Sequence, residues 1–139
     1  MSVEVQDDAE IPIDTARLRA RLQAGLDRAG HPDAELSVLL IGDERMAELN
    51  RTYRNISTTT DVLSFPQGTP ADQPFASILG DIVISVPTAQ LQAEERAISL
   101  DEEMEFLAFH GLAHLFGHDH ETEGWETWER ALEAITPHD

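Results

Sequence analysis

The 139-residue sequence contains no cysteine and no lysine. Without cysteine the chain has no disulfides, no thiolate ligands for a metal and no cysteine nucleophile, so any bound metal must be held by His, Asp or Glu. No apolar run approaches the roughly 20 residues of a membrane-spanning helix. The segment 1–13 is acidic and polar and has no signal-peptide pattern, so we expect a cytoplasmic protein that does not bind membranes.

Positive charge is scarce as well. Nine arginines stand against 27 acidic residues, which gives a formal net charge of −18. This balance argues against a large basic surface for nucleic acid. The simplest interpretation is a well-hydrated acidic surface. A sharper hypothesis is adaptation to high intracellular salt, which predicts that the thermal midpoint rises with KCl up to molar concentrations.

The length fits one domain over residues 1–139 with a single core. Apolar spacing predicts the element order β-α-β-α-β-β-α-α-α. Strands are predicted at 3–5, 35–41, 62–65 and 81–86, and helices at 13–29, 43–53, 87–97, about 99–117 and 123–135. These elements indicate an α+β fold, a small mixed four-stranded sheet packed with about five helices, although an α/β arrangement fits the same order.

The histidines are concentrated in one segment. His110 and His114 are four residues apart on a predicted helix, so both imidazoles leave the same face one turn apart. Gly117 can end this helix in a left-handed conformation and reverse the chain, which would bring His120 to the same point. Three neutral imidazoles leave one tetrahedral position open, as in catalytic zinc sites. The sequence therefore predicts a three-histidine metal site at the end of a central helix.

Two neighbours of these ligands have other interpretations. We interpret His118 as a surplus histidine that does not bind the metal. Asp119 is either a partner that orients a ligand or a turn residue. The spacing matches the H-E-x-x-H-x-x-G-x-x-H pattern of metzincin proteases, but Gly111 stands where that pattern has its general base. Because glycine cannot accept a proton, this difference argues against protease chemistry.

Three segments carry a specific resemblance. The sequence HGLAHLFGHDH at 110–120 matches the pattern H-G-x-x-H-L-x-G-x-D-H throughout. LNRTYR at 49–54, TDVLSFP at 60–66 and GDIVIS at 80–85 match further blocks in the same order. In these features the chain resembles the YbeY family of bacterial endoribonucleases, also described as rRNA maturation factors.

The resemblance implies one zinc ion per chain on His110, His114 and His120. It also implies cleavage of single-stranded RNA in 16S rRNA 3′-end maturation and ribosome quality control, with rRNA and the small ribosomal subunit or its assembly proteins as partners. Arg54 aligns with the family's functional arginine, which we expect to clamp a phosphate oxygen. The general base stays open among a metal-bound hydroxide and the carboxylates of Asp61, Glu105 and Glu121.

Other functions fit the same residues. The chain could be a zinc hydrolase for another substrate, or a non-catalytic ribosome-assembly factor with a structural zinc site. Imidazole ligands also suit nickel, cobalt or iron. An RNA substrate conflicts with the acidic composition unless local arginines, such as Arg45, Arg51 and Arg54, form a small positive cleft, high salt screens the charge, or a ribosomal partner delivers the RNA.

Overall fold

The computed structural model describes residues 3–56, 59–66 and 78–115. The elements in these ranges are strands β1 (Val3–Asp7), β2 (Glu35–Ile41), β3 (Val62–Pro66) and β4 (Ile78–Ser85), and helices α1 (Thr15–Arg28), α2 (Asp43–Arg54), α3 (Val86–Arg96) and α4 (Leu100–Leu115). Their order confirms the first eight predicted elements. The predicted helix at 123–135 lies outside the described residues.

The four strands form one mixed sheet in the order β1-β2-β4-β3. β1 pairs in parallel with β2, and β2 in parallel with β4, while the edge strand β3 runs antiparallel to β4. The predicted α+β class with a small mixed four-stranded sheet is therefore confirmed. None of the helices in the described ranges has the length and apolar character needed to cross a membrane.

Strand β4 differs from its predicted bounds at both ends. It includes Ile78, Leu79 and Gly80, which precede the predicted start, although glycine is a poor strand residue on propensity. A Cβ on Gly80 would lie 2.5 Å from the carbonyl oxygen of Phe65 on the neighbouring strand. The strand ends at Ser85, and Val86 already belongs to α3. Pro87 is tolerated inside the first turn because the N–H groups of that turn have no helical partner.

The alternation of side chains along the strands divides the core between the two sides of the sheet. On the side that we call the α4 side, Leu36, Val38, Leu40, Ile82 and Ile84 pack with Leu18, Leu22 and Leu26 of α1 and with Met104, Leu107, Ala108 and Leu112 of α4. On the opposite side, the α2 side, a smaller cluster contains Ile41, Met46, Leu63 and Val83. Helix α4 thus lies centrally, between the sheet, α1 and α3.

Local signals fix the ends of these helices. The Asp14 carboxylate accepts a hydrogen bond of 3.0 Å from the Arg17 N–H and caps α1. At the start of α4, Ser99 and Glu102 form a capping box, in which the Glu102 N–H donates to Ser99 Oγ at 3.1 Å. This cap sets the register of α4 and therefore the direction in which its histidines project.

Candidate metal and nucleic-acid site

Two of the three predicted ligands lie on the last two turns of α4. His110 is half-buried and His114 is exposed, one helical turn further on. The His110 ring also contacts Phe106, with ring centroids 4.4 Å apart and planes tilted by 50°. The third predicted ligand, His120, lies outside the described residues, as do His118, Asp119 and Glu121.

The two described histidines fit one part of a metal site. Two imidazoles spaced by one turn suit a single zinc-like ion. Within the described ranges, no three His, Asp or Glu side chains come together as a metal would require. A site on His110 and His114 therefore needs at least one further ligand from outside those ranges, the place that the sequence assigns to His120.

The residue after His110 is Gly111, whose surroundings leave no room for a side chain. Its missing Cβ would lie 2.9 Å from Ile82 Cγ2 and 3.1 Å from Ser64 Oγ, so any larger residue would press α4 away from the sheet. Ser64 Oγ donates a hydrogen bond of 3.2 Å to the Gly111 carbonyl, which fixes α4 against β3. A side chain at 111 would point into the sheet. This position cannot supply the base that metzincins place there.

The predicted arginine and the histidines lie at the same end of the sheet. Helix α2 ends beside β3, where the Tyr53 ring meets Phe65 edge-on at 5.1 Å between centroids. Helix α4 ends beside β4, where Leu115 Cδ2 lies 2.9 Å from the position of a Cβ on Gly80. Phe65 pairs with Asp81, the neighbour of Gly80. The two helices therefore finish at the same end of the sheet, α2 on one face and α4 on the other. The exposed Arg54 and His114 are each next to these end contacts in sequence.

A groove on the α2 side leads toward this end. It encloses about 890 Å³, a size typical of small-ligand sites, and its walls include Arg45, Tyr53, Phe65 and Asp81. Arg45 is held by Asp8, with 3.2 Å between guanidinium and carboxylate. Since acidic groups share the walls, the groove is polar and aromatic rather than strongly positive.

The carboxylates named as candidate bases have structural partners. Glu105 is buried against α1, where its oxygens lie 2.7 Å from Arg21 Nε and 3.3 Å from an Arg17 amino nitrogen. The Arg21 N–H is not aligned for a hydrogen bond, so this contact is an ion pair. Asp61 accepts the Val62 N–H at 2.8 Å and Gln92 Nε2 at 3.3 Å. These contacts give Glu105 a structural role, whereas Asp61 is held near the start of β3.

One cluster beside the histidines was not predicted. Glu103 of α4 is fully buried, and one of its oxygens lies 3.7 Å from an Arg96 amino nitrogen. The Arg96 guanidinium covers the Phe106 ring at 4.5 Å from Cζ to the centroid. Burial raises the pKa of Glu103, Arg96 opposes this shift and the Asp61 charge adds to it. The only sequence signal was an aromatic residue four positions before His110.

The chain is similar to known proteins over most of its length. A family model described as Endoribonuclease YbeY matches residues 3–135. The chain belongs to the YbeY endoribonuclease family. It is 47% identical over 120 residues to the Endoribonuclease YbeY of Thermus thermophilus, covering 86% of each chain. It is 36% identical over 154 residues to that of Brevibacillus brevis, covering 97% of each.

The YbeY fold is also seen among solved structures. The solution structure of a Thermotoga maritima protein superposes with a TM-score of 0.59 at 23% sequence identity, covering 95% of this chain and 89% of the other. At this identity the likeness concerns the fold alone. It supports the four-stranded sheet and the helices around it as the common architecture.

Proposed function

We propose that this YbeY-family protein is a zinc-dependent endoribonuclease that cleaves single-stranded RNA, with His110, His114 and His120 as metal ligands and Arg54 as the group that binds the reacting phosphate. The observation that carries the proposal is the placement of Arg54 and the two histidines at one end of the sheet. Relatives over most of the chain are named endoribonucleases, which supports RNA as the substrate.

Under this proposal the residues of the site have different roles. Zinc, when bound, supplies a Lewis acid and a water of lowered pKa. His110 and His114 must be neutral to bind it, so binding weakens as acid protonates the imidazoles. Arg54 has a planar guanidinium that matches phosphate oxygens and stabilises the charge that develops during cleavage. Residue 111 cannot accept a proton, so the attacking water loses its proton to another group.

The cellular role that we propose is 16S rRNA 3′-end maturation and ribosome quality control in the cytoplasm. The acidic composition fits this role if the small ribosomal subunit or its assembly proteins present the substrate. A chain with a net charge of −18 repels free RNA at a distance, whereas a bound partner removes the need for long-range attraction.

Metal analysis and RNA cleavage test the proposal together. Untagged wild-type protein should contain about one zinc per chain and cut single-stranded RNA but not casein. His114→Ala should lose zinc and activity while staying folded, because two histidines do not complete the site. Arg54→Ala should keep zinc and lose about 10²–10³-fold in cleavage rate, the typical effect of removing one charge-stabilising donor.

The contrary outcomes separate the alternatives. A folded wild type without metal would contradict the zinc proposal. Unfolding of His114→Ala with no RNA cleavage by the wild type would favour a structural zinc in an assembly factor. Full activity of Arg54→Ala, or loss of its zinc, would refute the role assigned to Arg54. Arg28→Ala removes an exposed arginine in the last turn of α1 and should retain nearly full activity.

A further inference from the structure

One surface beside the histidines is unused by the proposed mechanism. Phe106, His110 and His114 follow one another at four-residue intervals, so they form a stripe along one face of α4. Arg96, from the last turn of α3, lies over the Phe106 ring. Phe106 in turn touches His110. A guanidinium therefore lies two side-chain contacts away from a predicted metal ligand.

We propose that Arg96, held over Phe106 beside His110, binds a phosphate of the RNA strand next to the bond that is cleaved. This inference rests on the proposed function, because it assigns a second contact to the same substrate. Arg54 and Arg96 would then bind the strand at different points along the path that leads to the histidines.

The packing around Arg96 orders the guanidinium without hiding it. The side chain keeps 49% of its exposure, and Phe106 keeps 36%. The aromatic ring holds the guanidinium by a cation–π contact at 4.5 Å. Because the side chain is ordered before the RNA arrives, less rotamer entropy is lost when a phosphate binds.

Among the described residues, the charge of Arg96 is only weakly compensated. Glu103 approaches it at 3.7 Å, beyond hydrogen-bond distance. Burial raises the pKa of the Glu103 carboxyl, which favours its neutral form. In a chain with 27 acidic residues, a fixed guanidinium with a weak partner is a rare attractive point for a polyanion.

RNA binding by charge-matched variants tests the inference. The dissociation constant of a short fluorescent single-stranded RNA would be measured by anisotropy at about 0.05–0.2 M KCl, and KM and kcat on the same RNA. Arg96→Gln should weaken binding about 5–10-fold, raise KM with little change in kcat, and lower the slope of log K against log salt by about 0.7, the value for one phosphate on a single strand. Arg96→Lys should recover part of the affinity and the full salt slope.

Arg28→Gln is the matched control. Arg28 is also an exposed arginine in the last turn of a helix, but that helix is α1. Its change should alter the affinity less than about 2-fold. Equal losses in both variants would show that only overall charge matters and would overturn the inference. So would unchanged RNA affinity in Arg96→Gln with a lowered thermal midpoint, the result of a purely structural role.

The proposed function and the role inferred for Arg96 can be refuted separately. If the wild type neither binds nor cuts RNA, the proposed function and this inference both fall. If the wild type cuts RNA and Arg96→Gln matches it in affinity, KM and salt slope, the inference falls while the proposed function stands. The zinc content of Arg96→Gln should equal that of the wild type, since no metal ligand is changed.

Discussion

Two carboxylates on opposite sides of helix α4 are both buried, yet their surroundings differ. Glu103 and Glu105 are two residues apart, which turns their side chains about 200° around the helix. Glu105 lies against α1 with two guanidinium groups within 3.3 Å. Glu103 is fully buried on the α3 side, with one guanidinium at 3.7 Å and no hydrogen-bond donor among the described residues.

The difference shows two ways of accommodating a charge beside a central helix. The α1 side neutralises its carboxylate with fixed cations, which links α1 to α4. The α3 side favours the protonated carboxyl instead, because burial raises the pKa of Glu103. We expect the ion pairs of Glu105 to stabilise the folded protein at neutral pH. We expect the burial of the Glu103 carboxylate to destabilise it. The α3 side leaves its arginine available near the histidines.

The largest expected effect comes from Glu105→Gln. This change keeps the shape of the side chain but removes the negative charge that lies 2.7 Å from Arg21 Nε, on an arginine side chain that is only 21% exposed. We expect a loss of about 1–3 kcal/mol in the free energy of unfolding at pH 7, measured by urea denaturation. Glu48→Gln on the exposed face of α2 corrects for removing one charge from an acidic chain. A loss no larger than that of Glu48→Gln would show that the two ion pairs contribute nothing measurable.

The same substitution at Glu103 should have the opposite sign. The folded pKa of Glu103 lies above its unfolded value. The contribution of this carboxyl to the free energy of unfolding is therefore fully present only below the unfolded pKa. Stability then falls as pH rises through the folded pKa. Glu103→Gln removes this slope, so we expect a gain in the free energy of unfolding at pH 7–8 that becomes smaller as the pH falls toward the unfolded pKa of the carboxyl. Urea denaturation as a function of pH measures both.

A loss of stability in Glu103→Gln at pH 7 would contradict the difference that we infer between Glu103 and Glu105. It would mean that the ion pair with Arg96 outweighs the burial of the carboxylate. Glu48→Gln is again the reference, since any gain common to both variants reflects the net charge of −18 rather than burial.

Local sequence patterns predicted most of the fold. Strand β2 has its predicted bounds, Glu35–Ile41, because a short segment rich in apolar and branched residues indicates a buried strand. The capping box at Ser99 set the start of α4. The start of β4 was missed because the reason for Gly80 is the carbonyl of Phe65, which belongs to another strand. Such a contact has no signature in the local sequence.

The candidate site, like the fold, could be predicted from the sequence only in part. The spacing of His110 and His114 depends only on helix geometry, and both lie on α4 as predicted. The placement of Arg54 at the same end of the sheet needed the packing of α2 and α4 on opposite sides. Arg96 and Phe106 meet only because α3 and α4 pack together, and Glu105 meets partners that are more than 80 residues away. Periodicity identifies which residues face inward but not which residue of another helix they meet.

The smallest expected effect concerns a third carboxylate, Asp43, which is stabilised by neutral donors. Burial raises the pKa of Asp43, but hydrogen bonds from Ser85, Thr88 and Thr59 outweigh burial and hold the pKa below its ordinary value. Its stabilising contribution is therefore present above the unfolded pKa and is lost as pH falls through the folded pKa. Asp43→Asn should cost about 0.5–1 kcal/mol at pH 7, and the cost should vanish as the pH falls through the folded pKa of Asp43. The exposed neighbour Glu44 lies in the same first turn of α2, so Glu44→Gln reproduces the lost interaction with the helix dipole. If both variants lose equal stability across the pH range, the hydroxyl donors to the half-buried Asp43 contribute nothing measurable.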